Sequence, residues 1–541
     1  MRLRGRILIA VPPSQIGNDP ESAPMSTHHV SPPAAACPPT LESLQQQIHQ
    51  RLNEIIAYCL RDTEPPSFLD FETALLGLLR SLGCLLIQLF LHAHHERLDL
   101  TTWTQTRGYR VADDDAERTL KTSCGAVTYR RAFLVPRRGG GPGVHPLDVA
   151  LGLTRDAYTP LVIGWFCRLA TRVSFHLASS LGEMFLGAAP PGSAIEEWVL
   201  GLARPAYVYL SDGPLPQDDG EVLVIEVDGK AVPTATAHEL ARRRGPRSRH
   251  RRGCDCGCQR HRGRARRKRR GRTPRRKKGD KSKNGRSATL VVMYTLRRGP
   301  DGRLHGPCNK KVYGSFGSRK AALNWAREQA TRRGFPPKTD KTVQIVFDGE
   351  PCLEQQCRAL FSGAILTLDI RHAQEKLWEV GRLFHREGSP ELAPWVEELE
   401  ELLYKGHVRT LLRRLEQEWK GVSRRGPGTK QKRQTLKKVI DYLDARVKLM
   451  DYGTLRKKDL VIATGVVEGA VRYVVGERLD NSGMRWIEER AEAVLLLRCV
   501  EVNGDWDAFM RWAQERRHQE LERGEVVRIR SKKPTQLPGA A

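Results

Sequence analysis

Two runs of strand length, Glu221-Val-Leu-Val-Ile-Glu-Val227 and Lys341-Thr-Val-Gln-Ile-Val-Phe347, each close on Asp-Gly, at Asp228-Gly229 and Asp348-Gly349. Runs this rich in β-branched residues predict strands, so the chain must build a sheet. An Asp at a strand end projects from a rigid element, and the Gly after it lets a large ligand approach the backbone. Taken singly, either Asp-Gly is also an ordinary turn signal.

A third carboxylate, Glu468, lies within Gly465-Val-Val-Glu-Gly-Ala-Val-Arg472. Val467, Ala470, Val471 and Val474 fall on one helical stripe, which leaves Glu468 and Arg472 one turn apart on another face. In that arrangement Glu468 reaches a metal and Arg472 a phosphate; an exposed intrahelical ion pair is the plainer alternative. Acids on three separate elements are what a two-metal phosphoryl-transfer site needs, with its cations about 4 Å apart.

The stretch from Gly465 continues through Glu477-Arg478-Leu479 to Asn481-Ser-Gly-Met-Arg-Trp486. It resembles the third-acid signature of the ISKra-four family of bacterial insertion-sequence transposases, over about residues 150 to 515 in order. The resemblance implies an Asp-Asp-Glu enzyme, related in layout to the Mutator-type transposases, with a ribonuclease-H-like catalytic fold. It implies Asp228, Asp348 and Glu468 as catalytic ligands of Mg²⁺ or Mn²⁺. Asp369-Ile-Arg-His372 is similar to the acid-or-cysteine-x-x-His motif that follows the second Asp in Mutator-type enzymes.

The order of elements agrees with an α+β or α/β fold of this kind. After the Asp228 strand come strand-like runs at Ala288 to Leu296 and Lys311 to Phe316, then a helix over Ser318 to Arg333 capped by Ser318. The Asp348 strand follows, then a helix from about Cys352 to Phe361 and a strand over Ala364 to Leu368. That succession predicts a mixed sheet with helical layers and the first two acids at neighbouring strand ends. Between Gly388 and Tyr452 leucines recur at helical spacing, an all-helical insertion before the third acid. Its basic residues, Lys430, Lys432, Arg433, Lys437 and Lys438, either line a DNA channel or form a solvated loop and helix.

Charge identifies a polyanionic partner: the 541 residues carry +28. The excess is concentrated in Arg242 to Arg286, where 23 Lys or Arg face Asp255 and Asp280 for a net of +21. Such a block cannot fold by burial and reads as a disordered arm between the first two strands. It would add salt-sensitive DNA affinity without sequence preference. Cys254, Cys256 and Cys258 in the arm invite a zinc site, yet Cys-x-Cys-x-Cys is tighter than ordinary structural zinc spacing, and a thiol cluster stands beside that reading. The remaining cysteines have no framework spacing, which suits a reducing bacterial cytoplasm.

Residues 1–40 are read as a disordered leader. Within 41–220 a mainly helical DNA-binding region is expected, with amphipathic helices over Leu41 to Leu60 and Phe68 to Arg97 that pack together or dimerise. Gly125 to Phe133 alternates like a strand. Three short helices over 158–202, the third opened by a capping box at Ser193-Ala-Ile-Glu196, make a helix-turn-helix or a structural bundle. The catalytic domain is assigned to 221–387, with the basic insertion at 240–287, and to 453–515; the helical insertion takes 388–452 and a basic tail 516–541. No membrane span is expected, because Arg80 and Gln88 interrupt the apolar stretch from Ala74 to His92.

The whole describes a transposase that binds the terminal inverted repeats of its element, cuts there and joins the freed 3′-hydroxyl to target DNA, acting as a homo-oligomer on DNA. His372, Arg472, Arg478 and Arg485 would position phosphates, and Trp486 either stacks on a base or anchors its helix in the core. The alternatives are a catalytically inactive DNA-binding descendant and another ribonuclease-H-like nuclease.

Overall fold

The structure, a computed structural model, describes residues 40–61, 67–139, 141–186, 189–235, 285–335, 341–481 and 483–524. Most of the leader, nearly all of the basic arm with Cys254, Cys256 and Cys258, and the end of the basic tail lie outside the described residues.

Helix α1 (Leu41–Leu60) starts at Thr40 and α2 (Phe68–Glu96) at Ser67, each with the hydroxyl accepting a first-turn N–H. The two pack on each other, and α2 also packs on strand β2. Much of their apolar surface is left outside: Leu52, Ile56, Phe68, Leu69, Leu76, Leu86 and Phe90 are all exposed. By length and composition α2 meets the criterion for crossing a membrane, with a mean hydropathy of 2.0, although Arg80 and Gln88 lie within it. Strands β1 (Tyr109–Lys121) and β2 (Ala126–Pro136) form an antiparallel pair. Helix α3 (Pro146–Ala150) is tied to them by buried Asp148, which accepts from the Tyr129 hydroxyl at 2.7 Å and from Arg118 at 2.8 Å.

The next three helices are α4 (Pro160–Arg172), α5 (Phe175–Leu186) and α6 (Gly192–Asp212). The sequence left a helix-turn-helix and a structural bundle open for these three helices. Pro191, not Ser193, stands at the N-cap of α6, and Glu196 pairs with Arg490 at 2.7 Å instead of closing a capping box. The helix runs for 21 residues with only Ser193, Arg204 and Asp212 exposed, and Ile195, Trp198 and Leu202 are fully buried. The extent of its burial favours the structural bundle over a helix that enters a major groove. These helices share one core with the sheet that follows, so position 220 is not a boundary in packing.

That sheet has five strands: β3 (Val222–Pro233), β4 (Gly285–Arg298), β5 (Leu304–Ser315), β6 (Thr342–Phe347) and β7 (Ile365–Leu368), in the order β5-β4-β3-β6-β7. Central β3 runs antiparallel to β4 and parallel to β6, and β6 is parallel to β7. Consecutive residues are buried along Val222 to Val227 and Ala288 to Leu296. Alternate side chains face opposite ways, so helices must cover both faces of the sheet. Helix α7 (Arg319–Arg332), capped by the Ser318 hydroxyl, lies on β4 and β5, and α8 (Pro351–Leu360) packs on α7.

Helix α9 (Ile370–Phe384) follows β7 and packs on α10 (Leu392–Tyr404) and α12 (Thr429–Asp444); α11 (Val408–Gly421) completes the helical insertion. The insertion therefore includes α9 in its core, well before residue 388. Leu399, Leu403, Leu411, Leu415, Leu436 and Leu443 are buried there. Lys432 and Arg433 lie over the rings of Phe384 and Trp419 at 3.8 and 4.2 Å, while Lys430, Lys437 and Lys438 are exposed. After α13 (Tyr452–Lys457), helix α14 (Gly465–Ala470) runs into a π-wound segment, Val471–Asp480, lying against β3. Helix α15 (Glu488–Val502) is buried along most of its length, and α16 (Trp506–Glu522) runs through position 516, where a tail was expected.

Candidate active site

Glu226 and Val346 are the last register partners of β3 and β6. Asp228 and Asp348 each stand two residues further on, at equivalent positions where parallel strands lie about 4.8 Å apart. Burial first, and then the negative charge of Asp348, raise the Asp228 carboxyl above its ordinary range, while the Gly229 N–H, 2.6 Å away, opposes the shift. Asp228 therefore lies within β3, which stays paired with β4 as far as Pro233, and not at a strand end as expected, whereas Asp348 directly follows the last residue of β6; the two acids feel each other's charge.

The turn after Asp348 is braced from the helical insertion. Tyr442 on α12 donates its hydroxyl to the Asp348 carbonyl at 3.1 Å, and Arg446 donates Nε to the Gly349 carbonyl at 2.8 Å. The Arg446 guanidinium lies 3.9 Å from the Tyr442 ring centroid, so the two brace each other. Gly349 adopts φ +77°, and a Cβ there would stand 2.5 Å from Leu368 Cδ1 and 2.9 Å from Arg446 Nε. Glycine is required by both conformation and space.

Asp369, at the junction of β7 and α9, is fully buried and is not a DNA contact. It accepts the Arg371 N–H at 3.0 Å, faces His372 Nδ1 at 3.2 Å, and receives a short hydrogen bond from the Thr464 hydroxyl. Burial would raise its carboxyl, yet these donors together pull it below the usual range. In return Asp369 raises the His372 pKa, favouring the imidazolium, and His372 keeps 41% of its side chain exposed. The charges of Asp228 and His372 act on each other.

The predicted stripe on the third-acid helix is present: Val467, Ala470, Val471 and Val474 are buried, Glu468 is half-buried and Arg472 exposed. Glu468 pairs with Arg371 at 2.9 Å across the start of α9. Two buried carboxylates hold the start of this helix. Asp369 binds Thr464, and Glu226 on β3 accepts the Val467 N–H at 2.7 Å. Glu226 is fully buried, and its other oxygen accepts the Tyr294 hydroxyl at 2.6 Å. Desolvation pushes its pKa up to about 7. Glu226 was missed in the sequence, although one charged residue inside the apolar run Val222 to Val227 is the kind of exception that burial statistics flag.

One expected phosphate contact is placed elsewhere. Arg478 is 1% exposed, donates Nε to the Ala170 carbonyl at 2.9 Å, and lies 4.7 Å from the Trp486 ring centroid. Its surroundings are protein, so it cannot meet a phosphate. Trp486 is buried, donates Nε1 to the Leu479 carbonyl at 3.0 Å, and its backbone pairs with the end of β3 beside Thr234. It takes the core role. Arg485 is half-buried next to it.

Among the described residues no three His, Cys, Asp or Glu side chains stand in a metal-ligating cluster, and Glu468 is paired with Arg371. The donor set nonetheless suits a hard divalent cation: carboxylate oxygens, two of them at equivalent positions along neighbouring strands, with like charges that a cation would relieve. In comparison with known families and characterised proteins, the chain matches no family model and no characterised relative.

Proposed function

We propose that this protein is a DNA transposase of the Asp-Asp-Glu type, which cleaves at the terminal inverted repeats of its element and joins the ends to target DNA. The observation that carries the reading is the placing of Asp228 and Asp348 at equivalent positions on adjacent parallel strands, with the helix bearing Glu468 docked on the first of those strands. The strand order β5-β4-β3-β6-β7, in which β4 alone runs against the other four strands, supports a ribonuclease-H-like sheet.

In this reading Asp228, Asp348 and Glu468 hold Mg²⁺ or Mn²⁺. Bound there, two such ions supply an activated attacking oxygen and stabilise the leaving oxygen of a phosphodiester. The Arg371–Glu468 pair is exposed enough to be weak, so releasing Glu468 costs little. Asp369 orients His372 and keeps its proton, which gives a cationic donor to a phosphate oxygen beside the acids. Arg472, exposed one turn beyond Glu468, offers a second.

DNA is the partner that +28 favours. The basic arm leaves and rejoins the sheet near Pro233 and Gly285, which are register partners a short way beyond Asp228. Both attachment points therefore lie toward the end of the sheet that carries the acids. The exposed apolar residues of α1 and α2 support assembly as a homo-oligomer on DNA.

Purified protein incubated with Mg²⁺ and duplexes carrying the element's own ends should release a 3′-hydroxyl at the element boundary. Uncut element ends, under conditions where the protein binds them, would oppose the proposal.

A further inference from the structure

Every acid in the site has a place in the chemistry except the one buried beneath it. Glu226 stands two residues before Asp228 on the central strand, and none of its surface reaches solvent. A buried carboxylate is expensive, and a well-packed apolar residue at such a place often leaves a protein as stable or more so. Its retention within a run of Val, Leu and Ile calls for a reason beyond packing.

Its two oxygens supply one. One accepts the Tyr294 hydroxyl from β4 at 2.6 Å, which fixes the carboxylate's orientation; the other accepts the Val467 N–H at 2.7 Å. Val467 lies in the first turn of α14, whose N–H groups have no partner within the helix. The N-cap residue, Thr464, makes no side-chain bond to that turn, because its hydroxyl is given to Asp369. Six residues of α-helix followed by a π-wound stretch are not held in one orientation by local bonds alone. The tertiary anchors at Thr464 and Val467 decide where the next side chain, Glu468, is presented.

We propose that Glu226 is a positioning residue for the third acid: by accepting the Val467 N–H, it locks the helix carrying Glu468 to the strand carrying Asp228, and so sets the spacing between the first and third metal ligands. The inference rests on the reading of Asp228, Asp348 and Glu468 as one metal site. Glu226 itself touches neither metal nor DNA in this account.

Length and charge make opposite demands, and two substitutions separate them. Glu226→Gln keeps the reach and the accepting oxygen while losing the charge; the Tyr294 hydroxyl can rotate to accept from the new amide. Glu226→Asp keeps the charge but draws the oxygens back by one methylene. Nicking of element-end DNA by the full chain should follow length. The Gln variant should stay within about threefold of wild type, while the Asp variant loses about a hundredfold, the scale of a 1 Å misplacement. The Asp variant should also need more Mg²⁺ for half-maximal nicking while its Kd for DNA is unchanged, a split that general loss of structure would not give. The amide signal of Val467 in selectively labelled protein reports the contact directly, and should shift in the Asp variant more than in the Gln variant.

Activity that follows charge, with Asp active and Gln inactive, would overturn the proposal and make Glu226 an electrostatic member of the site. Two variants both at the wild-type rate would overturn it as well. Glu468→Gln belongs in the same assay. If that variant nicks normally, the three-acid reading fails and the positioning role goes with it; if it is inactive while both Glu226 variants are normal, only the positioning role fails.

Discussion

Glu492 on α15 is buried and is not among the acids assigned to the metal site, so its ionisation bears on folding. It accepts the Ser315 hydroxyl at 2.8 Å and the Phe316 N–H at 2.6 Å, and desolvation still pushes its pKa up to about 7 from an ordinary 4.5. The folded state then holds a proton that the unfolded chain has released. The stabilisation is complete below about pH 4.5 and is lost as pH rises through about 7, on the order of 3 kcal/mol in all. Thermal melts across that window should show stability falling with pH, and Glu492→Gln should remove a large part of the slope. Equal slopes in the two proteins would contradict the assignment. At this scale the sequence was informative where a residue broke a local pattern in plain view, as Asp228 and Asp348 do at the ends of β-branched runs. Arg478 was not legible in the same way: nothing in its neighbours signals the change to i→i+5 bonding over Val471–Asp480, which alters the face on which each side chain emerges.

Among the elements, α12 and the turn after it do more than fill the helical insertion. Tyr442 and Arg446 bind the Asp348 and Gly349 carbonyls, so the insertion sets the attitude of the second acid. Arg446→Ala should reduce the nicking rate about tenfold or more through misplacement of Asp348 while leaving DNA affinity intact. An unchanged rate would reduce the insertion to a neighbour of the site. The existence of this insertion was legible from leucine spacing, but its grip on the active site was not, because those contacts join residues nearly a hundred positions apart. Strand β1 was missed for a different reason. Asp113, Asp114 and Asp115 lie within it, a residue type that strands disfavour, and its pairing shifts register on either side of Asp113, which lets the exposed acids be accommodated. Helix α6 was expected as a short third helix, with a DNA reader and a structural bundle both open; its Trp198 and Leu202 fit a core as well as an amphipathic face, and only packing distinguishes the two.

For the whole molecule, affinity and chemistry are assigned to different parts. Because Pro233 and Gly285 are register partners, replacing residues 236–284 by a short Gly-Ser linker keeps the β3–β4 pair closed. That variant should bind all duplexes more weakly and with a flatter dependence on salt, since phosphate contacts carry affinity with little sequence information. Selective loss of preference for element ends would instead make the arm a sequence reader. The central claim is that Asp228, Asp348 and Glu468 act as one metal site, and it is tested most directly by Mg²⁺-dependent nicking with the variants Asp228→Asn, Asp348→Asn and Glu468→Gln, each measured beside its own DNA affinity. The account predicts that all three lose nicking while binding element-end DNA nearly as wild type does. Wild-type nicking by any one of them would remove that residue from the site and contradict the account.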